Sequence, residues 1–350
     1  MANINKKVMV AMSGGLDSSV AAALLKKANF DLVGVFMKFW MEPEKNSLEA
    51  EIRARKVAEI LNIPFYVFNF EKEFKKKIVN SFLDGYKKGI TPNPCVICNK
   101  EIKFGLLLKK ALSLGVDYLA TGHYARLSYN VKWKILKSKD KIKDQSYFLW
   151  TLNQKQLKYI LFPIGNYLKT QVRKLAQKFN LPVLDIPESM EICFIKTTLH
   201  NFLSCYLKAK PGPILTTEGK KIGQHRGLPF YTIGQRKGIE LSAGPFYVVD
   251  KDFNHNTLIV TSFLNDKNLY QKSLITENVN WISGKEPKLP FKIKAQIRYG
   301  HRPSFATIIK KTKDKKIELI FAKPQRAITP GQSVVFYKDE ELLGGGIIRK

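Results

Sequence analysis

The sequence predicts an α/β protein: a doubly wound parallel sheet, followed by a small central domain and a C-terminal β-barrel. Three observations carry this. Strand-like and helix-like runs alternate through the first 120 residues. A glycine turn, Ser13-Gly14-Gly15-Leu16-Asp17-Ser18, joins the first strand to the first helix. From about residue 211 the helical periodicity gives way to short strands between turn signals.

The first apolar run, residues 7–12, is followed by helical spacing over 18–28 and a second apolar run at 31–37. Next come an amphipathic helix at about 47–61, an apolar run at 63–69 and a helix over roughly 71–87. A Pro-rich loop at 90–98 leads to a helix at about 99–114 and a strand at 117–121. Continuous apolar strands between helices fit a parallel sheet covered on both faces. Met12–Ser18, Met37 and Gly122-His123 then fall at strand carboxyl ends, where such sheets bind ligands. Helical signals persist at 153–161 and 169–179. Pro211-Gly212-Pro213, Glu218-Gly219-Lys220 and Arg226-Gly227-Leu228-Pro229 punctuate a β-rich middle. The last stretch reads as strands Ile293–Tyr299, Ala306–Lys310, Ile317–Ala322 and Ser333–Tyr337, which a small barrel would close. The expected domains are 1–205, 206–278 and 279–350.

At 350 residues, 45% hydrophobic and 25% charged, the chain has ample material for two or three packed cores. No apolar run approaches the roughly 20 residues of a membrane-spanning helix. Residues 1–7 lead straight into the first strand, leaving no room for a signal peptide, and four cysteines are too few for a disulfide scaffold. A cytoplasmic protein is expected. The net charge of +30 invites a polyanion such as nucleic acid. Few of the 59 basic residues are Arg, however, and AT-biased coding produces the same excess of Lys.

The turn at 13–18 has the makings of a phosphate site. Its glycines allow close approach, and the helix it opens contributes N–H groups and about half a positive charge. It is not a Walker A loop, since no Lys follows the glycines. Asp17 and the hydroxyls suit a magnesium-bound pyrophosphate.

Cys95 and Cys98 follow Thr91-Pro92-Asn93-Pro94 and precede Asn99-Lys100. Half of a zinc site is one reading, but it would need a second pair, and Cys193 and Cys205 are too far apart, with no His at ligand spacing. Structural thiols are a second. The third is a reactive pair, with Cys98 opening the helix at Asn99, where the helix N-terminus, Lys100 and Lys103 would favour a thiolate. Cys193, in Glu191-Ile192-Cys193-Phe194, reads alone as a buried strand cysteine.

Together these segments resemble the tRNA-uridine 2-sulfurtransferases of the PP-loop ATP pyrophosphatase group. The likeness runs end to end: residues 11–18, Phe36-Met37-Lys38, Thr91–Pro94 with Cys98-Asn99-Lys100, and Thr121-Gly122-His123-Tyr124. It continues through Lys143–Leu149, Glu191–Phe194, Thr232–Gly238 and Thr329-Pro330-Gly331-Gln332. The glycine loop recurs among many ATP pyrophosphatases, whereas the Lys143–Leu149 run and the spaced cysteines are far more specific. Some positions depart from the pattern. Position 53 is Arg where an acidic residue is usual, and Gly300 stands where a second Arg would follow Arg298-Tyr299.

The resemblance implies 2-thiolation of the wobble uridine of tRNA, expected for the Lys, Glu and Gln acceptors. It implies ATP with Mg²⁺ near Asp17, and no permanently bound cofactor. ATP would lie against Ala11, Met12, Ser13, Gly14, Gly15, Leu16, Asp17, Ser18, Met37 and Gly122. Asn93, Pro94 and Cys95 would face the target base. His123, Lys143, Asp144, Gln145, Arg298, Tyr299 and Gln332 would touch the tRNA. Cys193 would carry a persulfide supplied by a cysteine desulfurase, directly or through a relay protein, and Cys98 would be the partner nucleophile. A Cys98–Cys193 disulfide would then close each turnover. The rivals are a 4-thiouridine-type or lysidine-type ATP pyrophosphatase acting on tRNA, and a non-catalytic basic RNA-binding protein. Lysidine chemistry needs no cysteine pair, and the non-catalytic reading predicts no ATP cleavage.

Overall fold

The computed structural model describes residues 6–41, 45–186, 192–195, 197–242, 244–311 and 316–349. Its first sheet is built from β1 (Lys7–Ala11), β2 (Asp31–Lys38), β3 (Phe65–Asn69), β4 (Tyr118–Thr121) and a short strand, Ile160–Leu161. All neighbours are parallel, in the order β3-β2-β1-β4 and then the short strand. The order turns back at β1 and β4, so a crevice opens at their carboxyl ends.

The apolar runs are continuous because both faces of the sheet are covered. Val8, Val10 and Leu32 pack with Val20 and Ala21 of α1 (Leu16–Lys27) in one core. Met9, Val33 and Leu119 pack with Phe104 and Leu107 in the other, which also takes in Val335, Tyr337 and Leu342 from the chain's last strands. The first domain and the barrel therefore share one hydrophobic cluster, whose burial is the main attraction between them.

The middle of the chain forms a four-stranded sheet from Gly212–Thr216, Lys221–His225, Tyr247–Asp252 and Thr257–Thr261. The C-terminal strands are Tyr270–Trp281, Phe291–Gln296, Ser304–Lys311, Ile317–Arg326, Ser333–Lys338 and Glu341–Arg349. Pairing of the first with the last closes a six-stranded barrel. Strand Tyr270–Trp281 crosses the expected 278/279 division. A hairpin of the first domain, Ala125–Asn130 with Lys132–Lys137, extends the barrel sheet through Glu341↔Leu136 and Leu342↔Ile135.

Candidate active site

The glycine turn is held open by its own hydroxyls. Ser18 Oγ accepts from Ser13 N at 3.1 Å and donates to Gly15 O at 3.1 Å, and Ser19 Oγ donates to Gly15 O at 2.8 Å. No side chain caps α1, so its first N–H groups remain available to an anion. Gly14 has φ +72°, and a Cβ there would stand 2.1 Å from Ala50 O, so only glycine fits. Gly122 approaches from β4 so closely that a Cβ would lie 2.7 Å from Ser18 N. Ala11 and Met12 are buried beneath the turn and Met37 is half-buried at the end of β2.

Asp17 lies in the first turn of α1. Its Oδ1 and Oδ2 accept from Lys169 Nζ at 2.7 and 2.9 Å, and Oδ1 also accepts from the Tyr124 hydroxyl at 2.8 Å. Among the described residues no group of three His, Cys, Asp or Glu is placed to hold a metal ion. Asp17 is thus a single carboxylate already engaged by a cation. Arg53 reaches the same turn, its Nε 3.3 Å from Gly14 O, so the departure noted in the sequence adds positive charge here.

The cysteine pair corrects one expectation. The helix begins at Pro94, not at Asn99: Asn93 caps it, its side chain accepting from Cys95 N and Val96 N. Cys95 therefore stands in the first turn and Cys98 a turn further in. Beyond Cys98 the helix runs on through a π-helical stretch, Asn99–Leu107. Cys98 is buried, and burial pushes its thiol up to about 12, with Lys103 pulling the other way. Burial takes Cys95 up to about 11. The resting pair is protonated rather than poised as thiolate.

Cys193 is exposed, correcting the buried-strand reading, and it lies within electrostatic reach of both Cys95 and Cys98. The next residue holds it there. Phe194 is 1% exposed and packs edge-on against Phe74 and Phe82 in a cluster that also contains Cys98. The three thiols thus share one neighbourhood, with Cys98 on its inner side and Cys193 open to solvent. The described residues contain no disulfide. Glu191, expected in the same motif, lies outside the described residues.

Segment 143–150 links the crevice to the barrel. Gln145 N donates to Tyr124 O at 2.8 Å and Gln145 Oε1 accepts from Tyr124 N at 3.0 Å. Asp144 caps the segment, accepting from Ser138 N, Ser146 N and Ser146 Oγ, and burial pushes its carboxyl up. Tyr147 and Trp150 bond to Ser333. Tyr299, half in contact with solvent, packs on Phe148 with ring centroids 4.4 Å apart and lies within electrostatic reach of Asp144, Lys143 and Cys95. Arg298 donates to Thr329 Oγ1 at 2.9 Å. Tyr147 and Tyr299 thus connect this segment and Arg298 to the turn carrying Asn93 and Cys95. Gly300 lies in an open turn with φ +79°.

Two residues expected at the RNA also make contacts within the protein. His123 is buried between Phe104 and Phe162, with Nδ1 2.7 Å from Thr121 Oγ1, and burial holds its imidazole well below the usual histidine range. Its side chain backs the crevice as a neutral group. Gln332 Nε2 donates to Thr91 O at 2.8 Å, and Thr91 N donates to Pro330 O at 2.9 Å. Thr91 Oγ1 also lies 3.1 Å from Thr232 Oγ1 of the middle domain. All three domains therefore brace the loop that leads into Asn93 and the cysteine helix.

The sequence reading missed Lys169, the cation on Asp17, and the role of Tyr124 beside it. Lys169 stands 152 positions from its partner, and no local pattern marks it.

Residues 6–197 match the family described as tRNA methyl transferase HUP domain. Residues 200–262 match tRNA methyl transferase PRC-barrel domain, and 271–348 match aminomethyltransferase beta-barrel domain. The chain is 47% identical to tRNA-specific 2-thiouridylase MnmA 2 of Thermoanaerobacter sp. strain X514, over 99% of each chain. It is 48% identical to tRNA-specific 2-thiouridylase MnmA 1 of Caldanaerobacter subterraneus subsp. tengcongensis, again over 99% of each. It is 46% identical to tRNA-specific 2-thiouridylase MnmA of Carboxydothermus hydrogenoformans, over 99% of this chain and 98% of the relative.

Proposed function

The chain belongs to the tRNA-specific 2-thiouridylase family, ATP-using sulfurtransferases that 2-thiolate tRNA uridine, and from that premise we propose how its residues divide the reaction. The target is the wobble uridine. Its C2 oxygen cannot leave as oxide, so it attacks the α-phosphorus of ATP, forming an adenylated base and releasing pyrophosphate. The turn Ser13–Ser18 and the start of α1 hold the phosphates, Arg53 adds charge, and Ala11, Met12, Met37 and Gly122 shape the nucleoside side. Asp17, oriented by Lys169, is the residue that would face a magnesium ion brought in with ATP, and the ion would offset charge on the departing pyrophosphate.

Asn93, Pro94 and Cys95 face the uracil once it leaves the anticodon stack. Lys143, Asp144, Gln145, Arg298 and Tyr299 form the surrounding RNA contact. His123 supports this wall from within, and Gln332 acts on it through Thr91.

Sulfur arrives as a persulfide on Cys193. Its terminal sulfur attacks C2, AMP departs with the former C2 oxygen, and the Cys98 thiolate attacks Cys193 Sγ to release the thiocarbonyl. Alternatively, Cys98 attacks Cys193 Sγ first and the released sulfide attacks C2. Either order leaves a Cys98–Cys193 disulfide, which an external dithiol must reduce. The burial contrast supports this division: the exposed Cys193 suits loading by a protein donor, while the buried Cys98 suits an internal nucleophile shielded from stray oxidation. Bringing Cys98 to its thiolate falls to Lys103 and to rearrangement when RNA binds. The cellular setting proposed is cytoplasmic, with a cysteine desulfurase or its relay as donor and the Lys, Glu and Gln tRNAs as acceptors.

Peptide mass spectrometry tests the division. Protein loaded with persulfide should carry the extra sulfur on Cys193. After a single turnover with ATP and tRNA it should contain a Cys98–Cys193 disulfide. Persulfide found on Cys95 or Cys205 instead would overturn the assignment.

A further inference from the structure

We propose that the outer face of the barrel, centred on Phe305 and the lysines Lys272, Lys292 and Lys294, is a track for the RNA strand flanking the target uridine. The inference rests on the tRNA reading above and extends it to a surface outside the reaction crevice.

A groove of about 670 Å³ runs across strands Tyr270–Trp281, Phe291–Gln296, Ser304–Lys311 and Ile317–Arg326, and reaches Tyr337–Asp339. Residues facing water at these alternating positions are ordinarily polar. Here Phe305 is 68% exposed and Ile320 38%. Lys294 Nζ stands 5.2 Å from the Phe305 ring centroid, opposite it across the ladder. Among the described residues, Lys272, Lys292 and Lys294 have no carboxylate partner; Asp339, at the far edge, is the groove's acidic residue.

An open aromatic face ringed by uncompensated ammonium groups fits alternating phosphate and base, the chemistry of single-stranded nucleic acid. An apolar protein partner would not exploit the lysines. The groove is also linked to the proposed RNA site through shared elements. Lys294 precedes Arg298 and Tyr299 on the same strand and its following turn. Tyr337 forms part of the groove while its hydroxyl lies 3.2 Å from Ser146 Oγ, next to the Lys143–Gln145 segment. Lys137, with Nζ 4.2 Å from the Tyr337 ring centroid, carries positive charge across the gap.

The test measures the affinity of the full-length protein for unmodified tRNA as a function of salt. The triple variant Lys272→Ala/Lys292→Ala/Lys294→Ala is compared with Lys27→Ala/Lys174→Ala/Lys178→Ala, which removes the same charge from exposed helix positions of the first domain. The groove triple should lower the slope of log affinity against log salt by about 3, roughly one per lost phosphate contact, while the control moves it little. Phe305→Ala should weaken binding roughly 5- to 150-fold, with turnover at saturating tRNA preserved. Equal effects of the two triples, or unchanged affinity in Phe305→Ala, would overturn the track. Binding needs no turnover, so failure of the wild type to form 2-thiouridine would strike the reaction reading and leave this comparison standing.

Discussion

Replacing Gly122 by Ala perturbs the phosphate loop without touching any group that carries charge. The added Cβ would meet Ser18 N at 2.7 Å, Asp17 C at 2.8 Å and Asp17 O at 3.0 Å. All three are backbone atoms, so no side-chain rotation relieves the clash. Ordinary contact begins near 3.4 Å, so the start of α1 must retreat by about 0.7 Å, the difference between 3.4 and 2.7. Overpacking of this kind costs about 1–3 kcal/mol of stability, within reach of a normally stable domain. Catalysis suffers more, because displacing a positioned group by about 1 Å costs on the order of 100-fold. We expect pyrophosphate release, measured with saturating tRNA and ATP, to fall roughly 30- to 100-fold. Formation of 2-thiouridine should fall with it, while tRNA affinity stays within about twofold, since the loop lies apart from the proposed RNA surface. A folded Gly122→Ala protein that releases pyrophosphate at the wild-type rate would refute the placement of the phosphates.

Cys98→Ser and Cys193→Ser should each abolish 2-thiouridine formation in nucleoside analysis, whereas Cys205→Ser, at an exposed position whose Sγ donates to Asn201 O, should leave it intact. With the other cysteines replaced by Ser, alkylation of Cys98 by iodoacetamide reports its thiolate. The thiol is held up at about 12, so its anion is scarce at neutrality and grows as pH rises. The rate should climb about tenfold per pH unit between about pH 7 and 10, and a plateau by about pH 9 would contradict the burial argument. Lys169→Ala should strip Asp17 of its ion pair. Because Asp17 is 33% exposed, the loss in urea unfolding should be about 1–2 kcal/mol rather than the 3–5 of a fully buried pair. Pyrophosphate release should drop more than tRNA affinity.

The strands of the first domain were legible because both faces are covered: Lys7–Ala11 and Asp31–Lys38 read as unbroken apolar runs. The phosphate turn was legible for a local reason too, since strand, glycines and helix start are adjacent in sequence. The start of the cysteine helix was misplaced although Asn93-Pro94 carries both a cap and a first-turn proline. The surrounding prolines made a loop the simpler reading. The strand Ile160–Leu161 is too short to show a period. The hairpin at 125–137 turns through Val131 at φ +63°, without the Asn-Gly or Gly signal that usually marks such a turn. What no local pattern could supply is long-range pairing: Asp17 with Lys169, Gln332 with Thr91, and Tyr147 with Ser333. Those contacts assemble the crevice and tie it to the barrel, and they are properties of the fold.

The central claim is ATP-dependent sulfur transfer to a tRNA uridine. Incubating the protein with unmodified tRNA, ATP, Mg²⁺ and a persulfide source, then analysing the nucleosides by mass spectrometry, tests it most directly. The account predicts 2-thiouridine that appears only with ATP and is accompanied by AMP and pyrophosphate. Pyrophosphate release with no 2-thiouridine, from folded protein that binds the tRNA, would contradict it.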